Sequence, residues 1–237
     1  MNNHKGADQI HRAFHEIALL RSASESHPSR TVILRAVRAY QSKRFQETYH
    51  DLLASEAYGP ACNFFLAEIY GDQDFSHRDR EFERIAKSIE RMFPRNILEV
   101  AVDLAELHAL TELLDTRMAE AIESLGYMPG QVQLDDATYA VAWRMSGLSA
   151  HRTQQLKMVL DLGKRLERIT TLRGIRMTLR AMRLPARAAK LSALQGFLEK
   201  GFETFSELAQ LKGRTDLFLK TIQEREETWI RSLDGPS

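Results

Sequence analysis

Long stretches of this chain run without a helix breaker, and along them the apolar residues recur at spacings of three and four. Only 6 Pro and 12 Gly are spread over 237 residues. That period puts successive apolar side chains on one face of a helix, whereas a half-buried strand needs a period of two. The chain is therefore read as all-α, a multi-helix bundle of about eight to nine helices.

The apolar periods predict helices over residues 8–24, with Ile10, Phe14, Ile17 and Leu20 on one face, and over residues 29–54, where no strong breaker intervenes. Gly59-Pro60 opens a helix over residues 60–70, with proline at a first-turn position that does not need its missing N–H. Ser76 and Asp79 resemble a capping box ahead of a helix over residues 77–93. Ile97, Val100, Leu104, Leu107, Leu114, Met118 and Ile122 mark the clearest long helix. Beyond it, Asp135 or Asp136 can cap a short helix ending near Trp143, and Ser149 can cap one running to Leu172. Gly174 weakens its continuation, Pro185 kinks or ends it, and helices near residues 186–211 and 215–233 complete the chain. The segment Gly126-Tyr127-Met128-Pro129-Gly130 is the strongest break, so residues 1–127 and 131–237 are read as two helical halves.

The lone Cys62 has no partner for an intramolecular disulfide and, beside Phe64 and Phe65, reads as a core residue. The longest apolar run, Tyr139 to Trp143, is 5 residues, far short of the about 20 that a membrane-spanning helix needs. No signal-peptide pattern occurs near the N-terminus, where the longest apolar run is Ile17 to Leu20, so a soluble cytoplasmic chain is expected.

No phosphate-cradling glycine loop, nucleophile elbow or paired Cys motif is present, and no cofactor is assigned. His11 and His15 stand one helical turn apart, the spacing of a two-histidine metal site, but no second cluster complements them. Glu47 and His50 form a Glu-x-x-His element of the kind that di-iron bundles use twice, and here it occurs once. His108 lies at the edge of the long helix's apolar stripe and reads as a hydrogen-bonded core histidine. A helical-bundle enzyme or metal-binding protein built around Glu47, His50, Glu68 and His108 is the alternative to a non-catalytic chain.

The stretch Ala57-Tyr58-Gly59-Pro60-Ala61-Cys62-Asn63-Phe64-Phe65-Leu66-Ala67-Glu68-Ile69-Tyr70-Gly71 resembles the bacterial family of uncharacterised proteins named after an FFLEELY motif. Phe64, Phe65, Leu66, Glu68 and Tyr70 match that pattern, while Ala67 replaces a Glu and Ile69 a Leu. The resemblance covers roughly residues 49–121 and implies no activity, cofactor or catalytic residue. Physically the motif reads as packing, with Phe64, Phe65 and Ile69 toward a core. Glu68 is then exposed or paired with Arg78 or Arg80.

The net charge of +1 conceals three blocks: +5 over residues 1–44, −10 over 45–130 and +6 over 131–237. Between Glu167 and Glu199 there is no acidic residue, and Arg173, Arg176, Arg180, Arg183, Arg187 and Lys190 follow one another at spacings of three and four. On a helix they form one stripe, with Ile175, Leu179, Met182 and Ala186 on another face. Glu99, Asp103, Glu106, Glu112, Asp115, Glu120 and Glu123 on the long helix offer an acidic complement, within one chain or across a homodimer. An acidic protein partner, an anionic membrane surface or a nucleic acid could also meet the stripe. A stacking platform for bases is lacking, because no aromatic precedes Phe197 in this stretch. The leading reading is a non-catalytic interaction protein whose arginine stripe meets an acidic surface.

Overall fold

The computed structural model describes residues 5–68, 95–127, 134–188, 192–210 and 213–235, and these residues are helical throughout apart from short connections. The expected helix over residues 77–93 with its cap, the partner arginines Arg78 and Arg80, the ends of two predicted elements (Ile69 with Tyr70, and Leu211), and Lys190 lie outside them. So does the part of the predicted break from Met128 to Gly130.

Helices α1 (Lys5–Glu25) and α2 (Pro28–Thr48) are followed by the single turn α3 (His50–Leu53) and by α4 (Gly59–Glu68). The long helix is α5 (Arg95–Ser124), whose 30 residues span about 45 Å. Then come α6 (Asp136–Ser146), α7 (Ser149–Thr170), the short α8 (Ile175–Ala181) and α9 (Arg183–Ala188), α10 (Ser192–Leu208) and α11 (Arg214–Asp234). The all-α bundle predicted from the apolar period is the fold observed.

α5 is the axis of the bundle: α1, α2, α6 and α7 all pack against it, and α11 packs on α6 and α7. α10 lies on α7 and α4, and carries α8 and α9 on its outer side. One continuous apolar cluster runs from Ala7 and Ile10 on α1 through Leu104 and Met118 on α5 to Phe218 and Leu233 on α11. The motif phenylalanines belong to it. Phe64 is fully buried and meets Phe197 and Phe205 at ring separations of 5.3 and 6.4 Å, while Phe65 stacks on Phe218 at 6.1 Å. Cys62 is buried beside them, and burial pushes its thiol up to about 12, as befits an inert core residue.

Three element ends differ from the sequence reading, two of them beside contacts that are distant in sequence and one beside a proline. The helix predicted over residues 29–54 breaks at Tyr49, whose backbone turns to φ −113°, ψ 19° while its ring is fully buried and its hydroxyl donates to Glu226 on α11. Ser149 does not cap α7; Leu148 holds that position, and the Ser149 hydroxyl donates instead to Asp234 at the end of α11. The arginine-bearing helix divides at Met182, three residues before Pro185. Pro185 has no N–H for the Ala181 carbonyl, so the break falls one turn ahead of the proline, which then sits in the first turn of α9. Asp135, by contrast, caps α6 as expected, accepting the Thr138 N–H at 2.8 Å.

Gly59 marks the tightest backbone approach. A Cβ there would lie 2.8 Å from the Leu53 carbonyl oxygen, inside the turn that joins α3 to α4. Gly59→Ala should therefore destabilise the chain by about 1–3 kcal/mol in chemical denaturation despite alanine's better helix propensity. An unchanged or raised midpoint would show that this turn relaxes freely.

Candidate interaction surface

The structure assigns cations to the acidic helix α5 in a way that charge blocks alone do not reveal. Glu112, only 3% exposed, receives Arg21 of α1 at 2.8 Å and Arg38 of α2 at 2.7 Å. Asp115, one turn on and equally buried, faces Arg38 at 3.5 Å and Arg152 of α7 at 3.7 Å, and accepts from Gln41 at 3.1 Å. Arg165 of α7 bridges Glu99 and Asp103 at 2.9 and 2.5 Å. Arg30 of α2 reaches Glu120 at 3.3 Å and Glu123 at 2.8 Å, and Gln9 donates to Glu106. The acidic face of α5 is thus met by arginines of the basic N-terminal block and of α7.

These environments separate two neighbouring carboxyls. Burial acts to raise Glu112, but Arg38, Arg21 and His108 together outweigh it and hold its carboxyl below the usual range. Burial prevails at Asp115, which is raised despite Arg152 and Arg38, with the charge of Glu112 adding to the rise. A second buried acid, Glu226 of α11, accepts from the Tyr49 hydroxyl at 2.6 Å and pairs with Arg44, whose guanidinium lies 4.1 Å over the Trp229 ring. From sequence, Glu112 and Asp115 stand only as part of the acidic face of the long helix, and Glu226, Tyr49 and Arg44 are not singled out, although one signal for burial was available. Glu112 and Asp115 fall on the same stripe of α5 as Leu104, His108, Ala119 and Ile122, and a carboxylate on an apolar stripe must find cations.

The arginine stripe is arranged differently. Gly174, with φ +85°, ends the turn after α7 and starts α8. Ile175 and Leu179 on α8 and Ala186 on α9 are buried. On the opposite face Arg173, Arg176, Arg180, Arg183 and Arg187 are all exposed. Arg183 pairs with Glu199 of α10 at 2.7 Å. Among the described residues, no carboxylate stands at ion-pair distance from Arg173, Arg176, Arg180 or Arg187. The acidic surface of α5 and the stripe therefore do not pack together within the chain.

The remaining candidates are scattered. His11 and His15 are exposed on α1. Glu47 is exposed and lies 3.7 Å from Lys43, while His50 is exposed with its Nδ1 3.2 Å from the Glu47 carbonyl oxygen, on the backbone. His108 is half-buried, tilted against Phe14, with Nε2 3.4 Å from Arg21, in keeping with a hydrogen-bonded histidine at the core's edge. Leu66 is half-buried on α4. The side chains of Glu68 and Tyr70 lie outside the described set. Among the described residues no three His, Cys, Asp or Glu are grouped so as to hold a metal ion, and no helix is long and apolar enough to cross a membrane.

Fold and surface together define an all-α bundle with an internally neutralised acidic axis and an exposed basic ridge. The chain belongs to the family defined by a domain of unknown function, DUF8198, which matches residues 20–235. No curated protein and no solved structure matches it.

Glu112→Gln should cost about 3 kcal/mol at neutral pH, because it leaves Arg21 and Arg38 facing a neutral amide in a buried setting. The linkage has a definite sign. A glutamate held below its ordinary value of 4.5 contributes stability that is complete above that value and lost as pH falls through the lower folded value. Asp115, shifted the other way in part by the charge of Glu112, has the opposite slope, and its relief in the variant offsets only part of the effect, since Glu112 is a lesser cause there than burial. The gap between wild type and variant in urea melts should accordingly close on acidification, and a gap independent of pH would refute the assignment.

Proposed function

We propose that this chain is a non-catalytic interaction protein that docks through the arginine face of α8 and α9 on an acidic surface outside its own fold. The observation that carries the reading is that the chain's own large acidic surface, on α5, is already answered by Arg21, Arg30, Arg38, Arg152 and Arg165. Among the described residues, the exposed guanidiniums of Arg173, Arg176, Arg180 and Arg187 have no carboxylate at ion-pair distance, and only Arg180 feels the charge of Glu199. Arginine suits this role, since its planar fork pairs bidentately with carboxylate or phosphate. Within the family, the segment from Phe64 to Tyr70 is read as an FFLEELY-type motif with a packing role, in keeping with the burial of Phe64 and Phe65.

Replacing Arg173, Arg176 and Arg187 with Glu tests the reading while leaving Arg183 and Arg180, the two cations that act on Glu199, in place. Binding to immobilised polyglutamate, or self-association followed by sedimentation velocity, should weaken at least about tenfold. The melting temperature should stay within the small range of surface substitutions. Wild-type protein that neither self-associates nor binds an anionic probe would sink it.

A further inference from the structure

The ridge carries more than charge. Met177 and Leu184 are each 76% exposed, the highest values among the large apolar side chains of the described residues. Both fall among the arginines. Arg176, Met177 and Arg180 stand at i, i+1 and i+4 on α8, Leu184 and Arg187 follow on α9, and Arg173 lies in the turn just before Gly174. Met182 at the break belongs to both helices, its N–H donating to the Thr178 carbonyl and its carbonyl accepting from the Ala186 N–H, so α9 follows directly on α8.

Resting on the reading above, we propose that the acidic surface is an anionic phospholipid bilayer, bound by the folded chain with α8 and α9 lying flat upon it. Three observations favour this occupant. α8 and α9 form an outer layer held by each other, α10 and the end of α7, so they project as a ridge. A peptide would need a groove, whereas a ridge suits a plane. The two apolar tips line one edge of the arginine stripe, an arrangement in which guanidiniums pair with headgroup phosphates while short apolar side chains enter the boundary between headgroups and acyl chains. A nucleic acid would instead press Met177 and Leu184 against phosphates and sugars, and no aromatic lies between residues 173 and 188 to stack a base. Ile175, Leu179 and Ala186 stay buried against the bundle, so docking requires no unfolding of the segment.

The test is co-sedimentation of the full chain with vesicles of phosphatidylcholine alone or enriched in phosphatidylserine. Four unpaired arginines should favour the phosphatidylserine vesicles by about a hundredfold or more. The preference should disappear near 1 M salt, where the screening length falls to about 3 Å. Arg176→Glu with Arg180→Glu should reduce binding to the level of the neutral vesicles. Met177→Ser with Leu184→Ser should weaken binding about tenfold or more while leaving its salt dependence in place. Equal binding to both vesicle types, or no loss in the Met177 and Leu184 variant, would overturn the inference. Binding to polyglutamate without binding to vesicles would overturn it and leave the interaction reading standing. Tighter binding to an oligonucleotide than to vesicles would also overturn it, and binding to none of the probes would remove both readings.

Discussion

Two carboxylates one turn apart in the centre of the longest helix set the terms for the rest of the molecule. Glu112 and Asp115 are buried on α5, and an unpaired buried carboxylate is far too costly to persist. Arg21, Arg38 and Arg152 must therefore be brought to them from α1, α2 and α7. Apolar burial alone would let these helices slide and rotate on α5 with modest loss, since ridges and grooves repeat along a helix. The guanidinium contacts oppose that freedom, because a slide or rotation would leave the two buried carboxylates short of cations.

The same demand explains how charge is distributed over the surface. Arginines of the N-terminal block and of α7 are drawn inward against α5, and those after Thr171 are not. A chain with an overall charge near zero thus has a neutralised interior seam and an unneutralised ridge. Sequence blocks describe the supply of charge, whereas the folded topology decides where it is used.

Much of this architecture is legible in the residues. The three-and-four spacing of Ile97 through Ile122 yields α5, Asp135 yields the cap of α6, and the sequence Phe64-Phe65 yields a buried aromatic pair. The failures share one cause, which is contact at long range. Nothing near Tyr49 in sequence breaks a helix; Glu226 does, 177 residues away, by accepting its hydroxyl. Nothing near Ser149 diverts its hydroxyl from capping; Asp234 does. The stripe was readable as charge but not as a surface, because the exposure of Met177 and Leu184 depends on which side of α8 and α9 rests on α10. Its acidic counterpart was likewise ambiguous, since the choice between Arg38 and Arg180 as the partner of α5 is made by topology.

The bond between Tyr49 and Glu226, together with the Arg44–Glu226 pair, ties the second helix to the last. During synthesis from the N-terminus, α2 emerges long before its partner. At about 5–20 residues per second, 177 residues correspond to a wait of roughly 10 to 35 s. Throughout that interval the phenol of Tyr49 and the guanidinium of Arg44 have no Glu226 to meet, so this corner must stay hydrated and loosely held on the ribosome. α11 closes it, which makes the docking of that helix the step at which this corner around Tyr49 becomes dry.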